Sequence, residues 1–168
     1  MKKILFCVAI VLSIGTMAQD YKHSARFRLG GTSAITYKNF VETNESVEFF
    51  LSGREDGLQL TAIYSFHRPM ELEFNENFFL HYGIGTHIGY EDRSDLDKVL
   101  VRLEPPQFNF ERRTYFVMGV DAMAGVEYRW YSVPMTISFD IKPYFTFIGM
   151  RYTDARFWDA AISFKYIF

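Results

Sequence analysis

The stretch MTISFDIKPYFTFI, residues 135 to 148, decides what kind of secondary structure this chain is built from. Its odd positions are Met135, Ile137, Phe139, Ile141, Pro143, Phe145 and Phe147, while its even positions include Thr136, Ser138, Asp140, Lys142 and Thr146. One set is wholly apolar and the other largely polar or charged, which is the period of a strand with two different faces. At helical spacing the same side chains would scatter around the cylinder. Proline at 143 removes one ladder hydrogen bond, so a bulge or distortion is expected there.

The same alternation recurs on both sides of this stretch. From Ala25 to Tyr37 the apolar set (Phe27, Leu29, Ile35, Tyr37) faces away from Arg26, Arg28, Thr32 and Thr36. From Asn77 to Glu91 it separates Phe78, Leu80, Tyr82, Ile84, Thr86, Ile88 and Tyr90 from Phe79, His81, His87, Glu91 and three glycines. Thr114 to Trp130 and Trp158 to Phe168 divide in the same way. Between Ser46 and His67 the outward parity flips from odd to even. A tight turn at Arg54-Glu55-Asp56-Gly57 accounts for the flip, because Asp-Gly is a strong hairpin signal; a bulge in one bent strand would do so as well.

Seven segments alternate clearly, and single-chain bacterial barrels have even strand numbers. The weakly alternating DKVLVRL, residues 97 to 103, is taken as the eighth. The expected strands are therefore 23–37, 46–54, 57–67, 77–91, 97–103, 114–130, 134–148 and 157–168. If 46–67 were one bent strand and 97–103 a loop, the count would be six. Asp92 to Arg113, with Pro105 and Pro106, reads as an exposed loop able to carry recognition. A sixteen-stranded pore is excluded by length.

Composition says where such strands belong. The 168 residues include 18 Phe and 11 Tyr, more rings than one small soluble core can hide. A near-neutral charge of −2 does not point to nucleic acid or an acidic surface as a partner, and none is expected. Residues 1–18 read as a secretory signal peptide: Lys2 and Lys3 precede an apolar run from Ile4 to Ile14, and Thr16-Met17-Ala18 suits cleavage. Residues 19–168 then form a single domain of net charge −4, since 18 basic residues lose Lys2 and Lys3 while all 20 acidic ones stay. Cys7 leaves too, so no thiol or disulfide chemistry remains. No apolar run in the rest reaches the length of a membrane helix.

A soluble sandwich would put flexible Lys, Glu and Thr on its polar face. Here that face carries glycine and charges of both signs, which suits a narrow barrel interior. The apolar faces carry aromatics near their ends, as the lipid-facing band of an outer-membrane barrel does. The expectation is an all-β, antiparallel up-and-down transmembrane barrel, monomeric, in the outer membrane of a diderm bacterium after Sec export. By parity Arg26, Arg28, Glu48, Asp121, Glu127, Arg129, Asp140, Lys142, Asp159 and Lys165 point inward, five basic and five acidic. Enclosed charges must pair, so the interior should be plugged by an ion-pair network.

This combination resembles the small outer-membrane β-barrel proteins of the OmpA/OmpX type, most closely the short barrel proteins of Bacteroidota. The resemblance runs along the whole exported chain and is sharpest at GREDGLQLTAIYSFHRP (53–69), FDIKPYF (139–145) and WDAAISFKYIF (158–168). It implies that Ile162, Phe164, Tyr166 and Phe168 form the C-terminal signal read by the barrel-assembly machinery, a partner during biogenesis, with membrane lipid as the lasting one. It transfers no catalytic site.

The residues themselves offer little chemistry. His81 and His87 share a face but lie roughly 20 Å apart along a strand, too far for one metal ion. Ser163, His81 and Asp121 are the candidates for a nucleophile, base and acid, on three different strands. Phosphate loops and zinc-type spacings are absent, and no cofactor is expected. The leading expectation is a non-enzymatic barrel with a structural or surface-interaction role. A narrow pore for small solutes or ions and a lipid-modifying enzyme, a hydrolase or acyltransferase, are the alternatives.

Overall fold

The computed structural model describes residues 22–70, 77–93, 98–101, 107–110, 113–130, 132–149 and 151–168; the segment 1–18, expected from the sequence to be a signal peptide, lies outside them. Twelve strand segments follow one another: β1 (His23–Gly30), β2 (Ala34–Glu42), β3 (Glu45–Arg54), β4 (Gly57–Pro69), β5 (Phe78–Arg93), β6 (Lys98–Val101), β7 (Gln107–Phe110), β8 (Arg113–Arg129), β9 (Met135–Ile141), β10 (Tyr144–Ile148), β11 (Tyr152–Arg156) and β12 (Ala160–Ile167). Ten of them form one antiparallel sheet in the order β11-β10-β8-β5-β4-β3-β2-β1-β12-β9, and a further β8–β9 pairing closes it. Because β9 runs on into β10 and β11 into β12, the closed sheet is an eight-stranded barrel. Closure leaves no strand edge unpaired around the ring. We call the end where β1 begins and β12 finishes the lower end; Ser24 is paired with Ile167 there.

The barrel has eight strands, but two of the expected segments are corrected. Residues 23–37 are not one strand: β1 turns at 31–33 and returns as β2, with Arg28 opposite Ala34. Paired residues in this hairpin share parity, so the inward set stays even through the turn, and a period-two test cannot see it. The β3–β4 hairpin pairs Arg54 with Gly57, of opposite parity, and so announces itself. Its two turn residues, Glu55 and Asp56, have φ of 44° and 54°, the type I′ geometry that matches strand twist. Conversely, 97–103 supplies no barrel strand. β6 pairs only with β7, in a separate two-stranded sheet. The strands flanking it run further than expected, with Asp92 opposite Thr114 and Arg93 opposite Arg113, so the recognition loop assigned to 92–113 is shorter than its sequence implies.

Pro143 distorts the wall without breaking its register. β8 pairs Ala124 with Ile141 and then Asp121 with Tyr144, one continuous alignment across the proline. Pro143 O accepts from Ala122 N at 2.9 Å, but proline has no N–H to return the bond. On the other side, β10–β11 pairs Tyr144 with Arg156 while β9–β12 pairs Ile141 with Ala160. Three residues, 157–159, thus oppose two, a bulge that flips the inward parity of the last strand. Phe157 and Trp158 consequently both face outward, 70% and 81% exposed, and Asp159 turns in. The last barrel strand starts at Tyr152, earlier than the expected 157.

The barrel is inverted relative to a soluble domain. Its largest fully buried side chains include Arg26, Arg28, Lys38 and Lys165, whereas Phe27, Leu29, Ile35, Ile84, Ile88, Phe116, Val120, Phe139 and Ile162 are exposed. The one apolar cluster among the described buried residues is small: Ala34, Phe50, Ile63 and Met123. Phe50 lies between Glu48 and Ser52 on β3, Ile63 between Thr61 and Ser65 on β4, and Met123 between Asp121 and Glu127 on β8, so this layer separates polar groups above from those below.

Candidate functional site in the barrel interior

Alternation along eight strands sends every second side chain into a space with little solvent, and charges there persist only in partnership. At mid-height Arg26 reaches Glu48 at 2.6 Å and Asp140 at 3.3 Å, and Arg28 reaches Asp140 at 2.9 Å and Asp159 at 3.2 Å. Thr36 donates to Glu48 at 2.5 Å and Ser163 to Asp140 at 3.2 Å. Arg28 also donates to the carbonyls of Thr32 and Asp159, at 2.6 and 2.9 Å, fastening the β1–β2 turn to the bulge. The Arg26 guanidinium lies 5.0 Å from the Phe50 ring centroid, so the apolar layer also carries a cation–π contact.

Above that layer, Asp121 takes Lys142 on one oxygen at 2.9 Å and His87 Nδ1 on the other at 2.5 Å. A carboxylate at Nδ1 fixes the proton there, leaving Nε2 to accept from the Thr146 hydroxyl, 3.0 Å away. The ring reaches across β8 because residue 119 is glycine; a Cβ there would lie 2.6 Å from His87 Cε1. Hydroxyl, imidazole and carboxylate in series is the arrangement of an activated nucleophile. Thr146 is nevertheless fully buried, and in this state the series holds the His87 ring in place. Near the upper rim Arg54 lies 3.4 Å from Glu91 and 3.0 Å from Asp154, with its guanidinium 3.9 Å over the Tyr144 ring.

Below the layer, Lys165 pairs with Glu127, which Arg129 also reaches at 2.8 Å, and Lys38 stands 3.4 Å from Glu48. His67 and His81, opposite each other on β4 and β5, stack with ring centroids 5.8 Å apart. His67 Nε2 meets Ser46 Oγ at 2.9 Å, while neither nitrogen of His81 has a hydrogen-bond partner among the described residues.

All ten charges assigned inward from sequence therefore face the interior: Arg26, Arg28, Glu48, Asp121, Glu127, Asp140, Lys142, Asp159 and Lys165 are buried and Arg129 is partly so. Lys38, Arg54 and Glu91 belong with them, giving six buried cations and six buried carboxylates among the described residues. Lys38 and Arg54 continue the even parity of their strands but fall at or beyond the boundaries assigned from sequence. Ser163, His81 and Asp121 do not come together: Ser163 serves Asp140, and Asp121 takes His87 instead. That pairing needed the register across three strands, which one sequence does not contain. Among the described residues no cluster of three or more His, Asp or Glu is placed to hold a metal ion.

Outside, Ile162, Phe164 and Phe168 are exposed and Tyr166 is half-buried, stacked on Phe168 at 6.3 Å. Phe168 N donates to His23 O at 3.1 Å, which ties the last residue to β1. Ring contacts gather at the lower end: His23 with Tyr37 and Phe168, Phe66 with Tyr82, and Phe78 with Tyr128, which meets Trp130. An apolar groove of about 690 Å³ crosses the outer wall at Pro143, between Ile84, Val120, Ala122, Phe145 and Phe157. No family model, curated protein or solved structure matches this chain.

Proposed function

We propose that this chain is an integral outer-membrane barrel protein with a structural or surface-interaction role and an interior closed by its own ion pairs. The observation that carries the proposal is the inversion of the barrel, with Arg26, Arg28, Lys38 and Lys165 buried inside and a continuous belt of Phe, Leu, Ile and Val outside. In water such a belt would be a large apolar patch; in a bilayer it is the matching surface. A closed sheet leaves no unpaired edge, the condition for strands to cross hydrocarbon. Ring contacts at the lower end supply the kind of aromatic girdle that sits at a membrane interface.

In this proposal the chain is a small barrel of the OmpA/OmpX kind, with Ile162, Phe164, Tyr166 and Phe168 as its assembly signal. A pore would need a water path through the Phe50–Ile63–Met123 layer, and a lipid-modifying enzyme would need substrate to reach the enclosed Thr146. The connection between β5 and β8, residues 94–112, is the longest link in sequence between neighbouring barrel strands and the segment we assign to a surface partner. Electrophoresis with and without boiling tests the proposal. Protein refolded in detergent should migrate differently before and after heating, and a chain that stays soluble without detergent and shows no shift would refute it.

A further inference from the structure

We infer that the chain forms a symmetric dimer within the membrane, in place of the monomer expected from its sequence, with Trp158 of each copy seated in the outer groove at Pro143 of the other. The inference rests on the membrane reading proposed above. Two polar groups of the outer wall lack partners among the described residues, and they are of opposite kind. The first is a backbone acceptor. In an antiparallel ladder a residue turns its N–H and its C=O toward the same neighbour, so Ala122, whose N donates to Pro143 O at 2.9 Å, aims its own carbonyl at the proline nitrogen. That nitrogen carries no hydrogen. Ala122 O is thus left without a donor, and both Ala122 and Pro143 are half-buried residues lining the groove. The second is a donor, the indole N–H of Trp158, which has no acceptor. Its side chain is 81% exposed, more than any other large apolar side chain described. A tryptophan at a membrane interface would find water for that N–H. Here Phe145, Phe147, Val120 and Met118 continue the exposed apolar surface above it, away from the lower end. An unmet donor or acceptor is costly in hydrocarbon. Each group supplies what the other lacks, yet within one copy they lie two strands apart on a convex wall.

A second copy can bring the two together. Lys142 N donates to Asp159 O at 2.9 Å, so Pro143 stands against Phe157 and Trp158 on neighbouring strands. Two copies inserted in the same sense are related by an axis along the membrane normal, which keeps every residue at its own height. Trp158 and the groove lie on either side of Phe157, so two copies that face each other present each Trp158 to the other's groove. The contact uses the same patch on both copies and closes at two. Small residues, Gly85, Thr86, Ala122 and Ala155, open the groove of about 690 Å³ to an aromatic ring. Close packing on small residues and hydrogen bonds between chains are what hold proteins together where lipid is as apolar as the side chains. A lipid chain also fits an apolar groove, but it brings no donor to Ala122 and no acceptor to Trp158.

Sedimentation equilibrium of the refolded protein in density-matched detergent should report a dimer. Two variants remove the paired hydrogen bonds from opposite sides: Trp158→Phe takes away the donor, and Pro143→Ala gives Ala122 O an N–H from its own chain. Each should weaken the dimer roughly tenfold, the loss of two hydrogen bonds between chains. Ala155→Leu, which fills the groove from an exposed position, should leave monomers. Heat-modifiable migration of the same samples reports the barrel itself. Monomeric wild type that keeps the heat shift would overturn the dimer and leave the membrane reading standing, whereas protein without the shift would sink both. A dimer that none of the three substitutions weakens would also overturn the inference, because another face would then be holding it.

Discussion

Asp140 is the residue on which the central network turns. It accepts from Arg26, Arg28 and Ser163, all buried with it. Replacing it by alanine leaves two guanidinium groups short of a carboxylate in a space without bulk water, and breaking a buried pair in this way costs about 3–5 kcal/mol. Asp140→Ala should therefore lower the urea midpoint of the refolded barrel by that equivalent. A loss no larger than that of an exposed polar residue would mean that water screens the site. Residues of this kind were legible because the period is two: once a strand's outward set is known, the inward set follows. What parity does not reveal is height. Asp121 could be placed inside from its sequence position, but its choice of His87 over His81 depends on the β5–β8 register and on the clearance at Gly119.

Whether a hairpin is legible depends on the parity of its paired residues. The β1–β2 turn preserves the inward parity, so 23–37 reads as one strand although Gly30-Gly31 is a recognisable turn signal. The eighth barrel strand is β2 rather than 97–103, whose β6 pairs only with β7. At β3–β4 both turn residues occupy left-handed conformations that L side chains adopt at a cost of about 1–2 kcal/mol each. Glu55→Asn with Asp56→Gly should relieve much of this and raise the unfolding midpoint by the equivalent of about 1 kcal/mol. An unchanged or lower midpoint would show that the Arg156–Glu55 contact at 3.7 Å matters more than the turn. The bulge at 157–159 was equally hidden, because Trp158 faces outward whether the strand starts there or passes through.

At the scale of the whole molecule, the two faces of the wall carry the account. Six buried cations against six buried carboxylates, together with the Phe50–Ile63–Met123 layer, are the observations behind the proposal of a closed interior. Planar-bilayer recordings of the refolded protein should accordingly show no large, steady conductance, and a stable open level would favour the pore instead. The architecture was readable from alternation and aromatic content because both act along the entire chain; a surface partner was not, because recognition is carried by a few residues on loops. The most direct test of the central claim, that the exposed apolar belt faces lipid, uses spin labels placed singly by cysteine substitution at Met118, Phe139 and Ile162 in a chain without residues 1–18, and so without Cys7. After refolding into liposomes, all three labels should be relaxed more by oxygen, which concentrates in hydrocarbon, than by a water-soluble nickel chelate. Greater relaxation by the chelate at these positions would place the belt in water and contradict the account.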